Sequence, residues 1–284
     1  MDAVAILGPD VSPESLALFS APDWHLSGHT RGRPFDPADA ALVLGGDGTV
    51  HHYLSDLSRL KVPLLMVPLG SGNDFAGALG LRTRQQALAA WKRFRAGAGN
   101  VRPVDLGMIT PLGVSSALPR LFCNVAGVGL DSEANRRANA LPRWLRGRGG
   151  YLLSALGALR TFKPMRFVIE APLHRRIDEP GLFVAFANGP TYGGGFRIAP
   201  KADFSDGQLD ICFVRKMPRI QLLRLLPTVF SGRHVQHGEV EYFKTSCLRI
   251  ETAVPLDVYA DGEFVCRTPV EVSVMPNALQ VIVP

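Results

Sequence analysis

Hydrophobic residues in the first hundred positions alternate between short continuous runs and helical spacing. Ala3–Leu7, Ala40–Leu44 and Val62–Val67 are apolar runs of the length of a buried strand. In Thr49–Arg59 and Arg84–Phe94, apolar positions recur every three or four residues, which is typical of amphipathic helices. This alternation of strands and helices predicts βαβ units, and therefore a parallel sheet in this part of the chain.

A different pattern begins near residue 101, where short apolar runs separated by turn residues replace this alternation. The runs are Val101–Ile109, Leu121–Val128, Phe167–Glu170, Leu182–Ala187, Leu209–Val214, Leu248–Thr252, Val258–Ala260, Val270–Met275 and Leu279–Val283. Helical spacing interrupts them at about 130–140, 151–161 and 219–230. Many short strands with turn signals between them predict a largely antiparallel sandwich or barrel. The segment Gly97–Asn100 is the predicted boundary, which gives domains over 1–100 and 101–284.

Composition excludes several classes of protein. With 284 residues the chain has room for about two domains, at roughly 100–200 residues each. Hydrophobic residues make up 46% of it and charged residues 20%, which is the composition of a globular protein rather than a disordered one. No apolar run approaches the ~18 residues of a membrane-spanning helix. The N-terminus places an acid, Asp2, where a signal peptide carries positive charge.

The cysteines and the net charge add two constraints. The cysteines at 123, 212, 247 and 266 form no C-x-x-C pair, which disfavours a zinc site or a disulfide framework and favours a reducing cytoplasm. The formal net charge of +6 favours an anionic partner, which would be a nucleotide, a nucleic acid or an anionic lipid surface. A generally basic proteome explains the same charge equally well.

Two glycine-rich loops follow neighbouring strands of the predicted sheet. Gly45–Thr49, with the sequence Gly-Gly-Asp-Gly-Thr, comes after Ala40–Leu44, and Pro68–Asp74 comes after Val62–Val67. The carboxyl ends of parallel strands meet at one edge of a sheet, so we expect both loops to face one ligand. Glycines allow backbone N–H groups to approach phosphate oxygens, and the helix after the first loop directs its positive end there. The loops therefore predict a phosphate-binding site.

The carboxylate of Asp47 indicates whether this phosphate-binding site also holds a metal ion. A carboxylate repels phosphate unless a divalent cation lies between them, which is how Mg²⁺-nucleotide sites are built. An Asp-Gly turn that only caps the following helix is the alternative. The sequence lacks the motifs of P-loop NTPases, simple Rossmann dehydrogenases, serine hydrolases and zincins, which disfavours those four classes of enzyme.

These two loops, with further segments in the same order, resemble the diacylglycerol kinase catalytic-domain family. That family includes soluble bacterial lipid kinases and, more distantly, sphingosine and ceramide kinases. The further segments are Phe122–Asp131, Asn188–Gly195, Pro200–Ala202, Asp206–Asp210 and Asp261–Glu263. The resemblance covers roughly residues 40–284, and the order of several motifs makes it far more specific than any one of them.

The resemblance implies a fold of the α/β plus β class with two domains. The first, over 1–100 and shortened at its N-terminus, is a nucleotide-binding α/β domain like that of phosphofructokinases and NAD kinases. The second domain, over 101–284, is a β-sandwich. The active site of the family lies in the cleft between the two domains. The implied activity is ATP- and Mg²⁺-dependent transfer of the γ-phosphate to a hydroxyl of a lipid such as diacylglycerol, phosphatidylglycerol or a sphingoid base.

The same resemblance implies the partners and the location of the protein. ATP and a lipid substrate at a membrane surface are the expected partners, nucleic acid is not among them, and a homodimer is left open. We expect the protein in the cytoplasm, associated peripherally with the inner face of the membrane. An NAD kinase-like small-molecule kinase and a catalytically weak nucleotide- or lipid-binding module are the alternative functions.

Roles for individual residues also follow from the resemblance. The implied nucleotide-binding residues are Thr30, Gly45, Gly46, Asp47, Gly48, Thr49, Gly70, Ser71, Asn73 and Asp74. Asp47 is implied to hold Mg²⁺ at the phosphates. A second, structural Mg²⁺ is implied at the Asp206 carboxylate with the backbone carbonyls of Asp203 and Gln208. The residues alone indicate a plain turn before the strand Leu209–Val214.

Asp261-Gly262-Glu263 carries the family's proton acceptor. We expect Glu263 to take the proton of the lipid hydroxyl, with Asp261 assisting or orienting it. The residues alone favour a hairpin turn between Val258–Ala260 and Phe264–Cys266 with two solvated acids.

The chain departs from the family pattern at three places. Ile6–Asp10 stands where the family has an Asn-Pro-x-Ser-Gly-like phosphate loop. Ser71 replaces the usual threonine of the second loop and keeps its hydroxyl. His51 and His52 replace an Asn-Glu pair, and because neighbouring helix positions point about 100° apart, we expect exposed residues there rather than a metal site.

The stretch Leu141–Phe167 interleaves arginines with bulky apolar residues, including Trp144 and Tyr151. Basic and apolar residues together suit an anionic membrane surface, with Trp and Tyr at headgroup depth. An ordinary amphipathic helix packed on the sandwich is the alternative.

Changing Arg143, Arg146 and Arg148 together to Gln is expected to weaken binding to anionic vesicles by up to a few kcal/mol, at about 1 kcal/mol per basic residue. Binding should also weaken as salt rises, because exposed charges are screened within about 8–10 Å at 0.1–0.15 M. Co-sedimentation with vesicles measures both effects. If vesicle binding ignores both the salt and the triple change, this stretch has no membrane role.

Overall fold

The apolar runs of the first hundred residues form a parallel sheet. In the computed structural model, β1 (Asp2–Leu7), β2 (His25–Gly28), β3 (Ala40–Gly45) and β4 (Pro63–Pro68) lie in the order β2-β1-β3-β4. Every residue of β3 is buried, which explains why its sequence is a continuous apolar run rather than an alternating one. The structure describes residues 1–29, 32–70, 72–113, 118–140, 153–154, 157–159 and 161–284.

Helices connect these strands. They are a 3₁₀ helix at Pro13–Phe19, α1 (Asp47–Leu60), α2 (Asp74–Ala78) and α3 (Arg84–Arg95). The predicted helix at Thr49 begins two residues earlier, because Asp47 and Gly48 already have helical conformation. Thr83 and Gln86 form a capping box at the start of α3, which fixes where that helix begins.

The second part of the chain is a set of antiparallel strands with helices on one face. The strands are β5 (Val101–Pro111), β6 (Arg120–Phe122), β7 (Val125–Gly129), β8 (Met165–Glu170), β9 (Ile177–Ala187), β10 (Leu209–Arg215), β11 (Val240–Thr245), β12 (Cys247–Thr252), β13 (Asp257–Ala260), β14 (Glu263–Arg267) and β15 (Val270–Ile282). The helices are α4 (Leu130–Ala140) and α5 (Arg219–Val229), with a 3₁₀ helix at Arg233–Gln236. The ladders run β14-β13-β7-β9-β8-β12-β15, with β10 between β9 and β11.

The second half of β9, from Leu182 to Ala187, lies between two hydrophobic cores. On one face of β9, Val184 and Phe186 join a core shared with β8 and β12. On the other face, Ala185 and Ala187 join a second core with α4 and α5. Successive side chains of a strand point to opposite faces, so a strand between two cores is apolar throughout. This double burial confirms the predicted sandwich and places helices against it.

The boundary between the two units differs from the predicted one. One unit comprises residues 1–105 and 276–284, and the other comprises 106–275. The last residues return to the first unit, where Gln280 and Val281 pair in parallel with β4. There, Asn100 Nδ2 donates to the Val283 carbonyl at 2.5 Å and the Val283 N–H donates to Asn100 O at 2.9 Å. A break in composition marks only one crossing of the chain, so the return was not predictable from it.

One predicted strand is divided in two in the structure, and other predicted features lie outside the described residues. The predicted strand Leu121–Val128 is broken at Cys123-Asn124, which separates β6 from β7. Arg143, Arg146 and Arg148 lie outside the described residues. Among the helices that the structure describes, none is long and apolar enough to cross a membrane.

Candidate active site

Three loops meet where β1, β3 and β4 end in the first unit. The Gly8 N–H donates to Leu44 O at 2.8 Å, and the Leu69 N–H donates to Gly45 O at 3.0 Å. The Asp47 N–H reaches the second loop as well, at 3.1 Å from Gly72 O. These bonds continue the ladder of the sheet beyond its last strand residues. The two predicted glycine loops are therefore neighbours at one edge of the sheet.

The backbones of the two glycine loops are in direct contact. A Cβ atom built on Gly70 would lie 2.4 Å from the Gly46 Cα and 2.7 Å from the Gly46 nitrogen. A Cβ on Gly46 would lie 2.7 Å from Gly72 O. Real Cβ atoms do not approach backbone atoms so closely, so only glycine fits at Gly46 and Gly70. Gly45 is limited in the same way by the Thr49 side chain, whose Oγ1 would lie 2.4 Å from a Cβ there.

Asn73 holds the second loop in shape. Its Nδ2 donates to Gly70 O at 2.7 Å, and its Oδ1 accepts from the Gly70 N–H at 3.1 Å. This reciprocal pair closes the loop with one side chain, as Asn does in turns. The geometry supports a positioning role for Asn73 and explains why an amide stands at this position.

Asp47 is the first residue of α1, and its carboxylate binds the start of α2. Oδ2 accepts from the Asp74 N–H at 2.9 Å, and Oδ1 accepts from the Phe75 N–H at 3.1 Å. The alternative that Asp47 only caps its own helix is therefore wrong, because its carboxylate binds the start of α2. Carboxylate oxygens are the ligands that Mg²⁺ prefers, so the chemistry of Asp47 fits the predicted ion.

The remaining predicted nucleotide-binding residues differ in what the structure says of them. Gly48 is exposed in the first turn of α1, and Thr49 is half-buried beside Gly45. Thr30 and Ser71 lie outside the described residues. Of the two histidines, His52 is exposed as expected, with its ring edge-on to Tyr53 at 4.9 Å between centroids, whereas His51 is half-buried.

Asp261-Gly262 in the second unit is the two-residue turn of the β13–β14 hairpin. Both residues have positive φ, 50° and 88°, which is typical of a type I′ turn and favours the Asp-Gly pair. The Asp261 carboxylate does not point into solvent, contrary to the expectation from the residues alone. Oδ2 accepts from the Cys123 N–H at 2.8 Å, and Oδ1 accepts from Asn124 N–H at 2.9 Å and Val125 N–H at 3.3 Å.

These bonds distinguish the two acids of the Asp261-Gly262-Glu263 motif, because they involve only Asp261. Asp261 orients the loop that breaks β6 from β7, and its own N–H donates to Val125 O at 3.0 Å. Glu263 is exposed at the start of β14. Asn139, at the end of α4, donates from Nδ2 to Gly262 O at 2.7 Å and so ties the turn to that helix. The exposed carboxylate of the motif is therefore the one at Glu263.

Asn124 and Asn188 lie in two of the segments that resemble the family, but the sequence assigned neither of them a role. Asn188 is buried and donates from Nδ2 to Cys123 O at 2.8 Å. The N–H groups of Asn188 and Gly189 both donate to Asn124 O, at 2.8 and 2.9 Å. Asn124 itself is only 2% exposed, and within the described residues its Oδ1 accepts no hydrogen bond. An asparagine between apolar strand residues was the signal available in the sequence.

The predicted structural magnesium site contains an ammonium group. Asp203 and Asp206 each accept a bond from the N–H two residues on, from Ser205 and Gln208, both at 3.0 Å. The other Asp206 oxygen accepts from Lys244 Nζ. Among the described residues, no three His, Cys, Asp or Glu side chains lie close enough to hold a metal ion. A Mg²⁺ ion on Asp206 would have to displace this ammonium, and the site stays a prediction.

Lys244 also faces a buried acid. Its Nζ lies 3.4 Å from Asp210 Oδ2, and Asp210 Oδ1 accepts from the Tyr242 hydroxyl at 2.5 Å. Burial raises the pKa of the Asp210 carboxyl, against the Tyr242 hydrogen bond. Burial opposes the charge of Lys244 too, but its bond to Asp206 and the charge of Asp210 outweigh burial and raise the pKa of Lys244. The Lys244 ammonium therefore places a positive charge between the carboxylates of Asp206 and Asp210.

Comparisons with known proteins agree with these arrangements. The sequence profile of the diacylglycerol kinase catalytic domain matches residues 29–109, and that of the YegS C-terminal NAD kinase beta sandwich-like domain matches 124–283. A diacylglycerol kinase of Mycobacterium tuberculosis is 38% identical over 246 residues, which cover 87% of this chain and 77% of that protein. The chain belongs to the diacylglycerol kinase family of lipid kinases.

Another curated relative and two solved structures are more distant in sequence. A diacylglycerol kinase of Bacillus subtilis is 25% identical over 248 residues, 87% of this chain and 78% of that protein. A crystal structure of a diacylglycerol kinase from Bacillus anthracis matches with a TM-score of 0.70 at 19% identity, over 100% of this chain and 97% of that one. Yeast NADH kinase complexed with NADH matches with a TM-score of 0.55 at 11% identity, over 99% and 82%. The two structures show the shared fold, and the predicted family and fold class are confirmed.

Gly70→Ala is expected to lower the free energy of unfolding of this lipid kinase by about 1–3 kcal/mol, because the new methyl group would overlap the Gly46 backbone. Gly77→Ala is the matched control, since a Cβ there meets nothing within 4 Å and the residue lies inside α2. That change should raise stability by up to about 1 kcal/mol. Denaturant unfolding of both variants checks the contact, and equal stability of the two would contradict it.

Proposed function

We propose that this lipid kinase transfers the γ-phosphate of ATP to a lipid hydroxyl, with the two glycine loops of the first unit as the phosphate-binding element. The observation that carries the proposal is the backbone contact of Gly46 with Gly70 beside Asp47. Glycine at positions 46 and 70 lets the two loop backbones come into contact, and the start of α1 adds the positive end of a 14-residue helix. ATP as the nucleotide follows from the kinase family.

Asp47 is proposed to hold the Mg²⁺ ion that accompanies the phosphates. When bound, the ion neutralises charge on the phosphate oxygens and favours departure of the γ-phosphoryl group. The carboxylate is already oriented by its two bonds to the N–H groups of Asp74 and Phe75. These two bonds hold the carboxylate in one orientation before a cation binds.

Glu263 is proposed as the group that accepts the proton of the lipid hydroxyl. A hydroxyl is a weak nucleophile at neutral pH, so a carboxylate that takes its proton during transfer lowers the barrier. The Glu263 side chain is exposed, whereas the Asp261 carboxylate accepts hydrogen bonds from three backbone N–H groups. Asp261 is then a positioning residue that holds the turn in place.

Contact with a membrane surface is part of the proposal, and α5 supports it. The inner side of α5 packs on the sandwich through Leu222 and Leu225, while Ile220 is 60% and Leu223 45% exposed. The sequence from 211 to 238 contains five lysines and arginines and no acid. An exposed apolar face within a basic segment suits anionic lipid.

The lipid and NAD hypotheses are separated by incubating radiolabelled ATP with mixed lipid vesicles and with NAD. We expect label in the lipid phase, and Glu263→Gln should reduce it about 10²–10⁴-fold while ATP affinity changes little. Glu271→Gln, an exposed isosteric change in the same unit, is the control and should keep full turnover.

Other outcomes of this assay are equally informative. Label in NAD alone would identify an NAD kinase, and intact ATP binding without label in either acceptor would identify a weak binding module. Full turnover in Glu263→Gln with loss in a folded Asp261→Asn would exchange the two roles. A panel of diacylglycerol, phosphatidylglycerol and a sphingoid base then names the substrate.

Asp47→Asn is expected to cut turnover at least ~100-fold, or about 2.7 kcal/mol of barrier, because it removes the charge that binds Mg²⁺. The variant should also lose about 1–2 kcal/mol of stability, since an amide cannot accept both N–H bonds at the start of α2. Thr83→Ala removes the N-cap of α3 in the same unit and serves as the control for lost stability. Turnover lost equally in both variants would count against a direct role for Asp47.

A further inference from the structure

Two polar side chains of β11, Tyr242 and Lys244, bind the segment that precedes and begins β10. They are two positions apart on the strand, so they project from the same face of it. The Lys201 N–H donates to the Tyr242 hydroxyl oxygen at 3.4 Å, and the Lys244 ammonium donates to Asp206. Asp210 lies directly opposite Lys244 in the β10–β11 ladder. These contacts anchor the segment from 201 to 210 on β11.

The Lys244 ammonium occupies the place where a metal ion would bind Asp206. One Asp206 oxygen accepts from the Gln208 N–H at 3.0 Å, and the other accepts from the ammonium. Mg²⁺ needs a near-octahedral shell of oxygens at about 2.0–2.1 Å. An ion that close to Asp206 would lie beside a second positive charge, which repels it. The residues present therefore fit an ammonium better than they fit Mg²⁺.

Asp210 is a second acid that this ammonium serves. Its side chain is fully buried, and Oδ1 accepts from the Tyr242 hydroxyl at 2.5 Å. Within the described residues Oδ2 accepts no hydrogen bond, and it lies 3.4 Å from Lys244 Nζ. A buried carboxylate is costly unless an opposite charge lies close to it. One lysine therefore offsets the charge of two acids, of which one has no contact with water.

The turn that contains Asp206 also packs against residues that bind the Asp261 carboxylate. Phe204, in this turn, is 3% exposed. A Cβ atom built on Gly189 would lie 2.5 Å from the Phe204 Cζ and 2.9 Å from Asn124 Oδ1. Gly189 is thus enclosed between the Phe204 ring and Asn124, whose N–H donates to Asp261. A cation at Asp206 holds a turn that supports this part of the second unit.

We infer that the Lys244 ammonium takes the place of the predicted structural Mg²⁺, so that the turn at Asp206 needs no divalent cation. A lysine is part of the chain, so its charge is present at any concentration of Mg²⁺, whereas a bound ion stabilises only as far as it is supplied. This role lies in the fold of the second unit and is the same whichever acceptor the kinase uses. The Mg²⁺ proposed at Asp47 is a separate ion.

The first test is thermal unfolding of the nucleotide-free chain in EDTA and in millimolar Mg²⁺. We expect the Tm of the wild type to be the same in both. Lys244→Met keeps the apolar stem of the side chain but leaves Asp206 and Asp210 without a cation. Its Tm should fall by at least about 2–4 °C in EDTA, and Mg²⁺ should restore part of the loss. Lys216→Met, at an exposed lysine of the same unit, is the control and should change neither value.

The second test counts divalent sites with Mn²⁺ alone as the probe, through the electron paramagnetic resonance signal of the free ion. We expect the wild type and Asp206→Asn to bind the same number of Mn²⁺ ions. Lys244→Met should bind one more, because its two acids then face each other across an empty space. The double variant Lys244→Met/Asp206→Asn should lose that additional site.

Three results would overturn the inference. A rise in wild-type Tm with Mg²⁺ that Asp206→Asn abolishes would mean that the ion binds there despite the ammonium. Full stability of Lys244→Met in EDTA would mean that the ammonium holds nothing in place. A loss of stability that Mg²⁺ does not restore, without an additional Mn²⁺ site, would make Lys244 an ordinary ion-pair partner. The wild-type measurements use the unaltered chain, so they remain decisive even if Lys244→Met does not fold.

Discussion

Binding of backbone N–H groups by a distant carboxylate is the interaction on which both candidate sites depend. Asp47 binds two N–H groups that follow it by 27 and 28 residues, and Asp261 binds three that precede it by 136 to 138 residues. N–H groups in a loop or at a helix start have no partner in the local backbone, and burying them unpaired is costly. An ionised carboxylate satisfies several at once. Each acid thereby fixes a loop whose own sequence contains little to fix it.

The central strands of the sandwich are subject to a different constraint, because their alternate side chains pack into two different hydrophobic cores. Large side chains such as Phe186 and Phe213 lie on the face of β9 and β10 that belongs to the core shared with β8 and β12. Small side chains such as Ala185 and Ala187 lie on the opposite face, toward α4 and α5. Large and small side chains are therefore divided between the two faces of these strands.

Local patterns in the sequence predicted the elements, and long-range pairs escaped prediction. The runs Ala40–Leu44 and Val62–Val67 and the glycine loops after them follow from periodicity and turn chemistry alone. The hairpin at Asp261-Gly262 was equally local. In contrast, the partners of Asp261 at Cys123–Val125, and of Asp206 at Lys244, are more than 30 residues away. No spacing rule joins such residues, because only the folded topology brings them together.

The return of residues 276–284 to the first unit has a consequence for how the protein is made on the ribosome. The first unit is translated early, yet the strand segment that pairs with Pro63 and Leu64 emerges only after the whole second unit. Until then the edge of β4 lacks its last neighbour, and exposed strand edges invite pairing with other chains. The nascent first unit therefore keeps an open sheet edge until residues 276–284 have been synthesised.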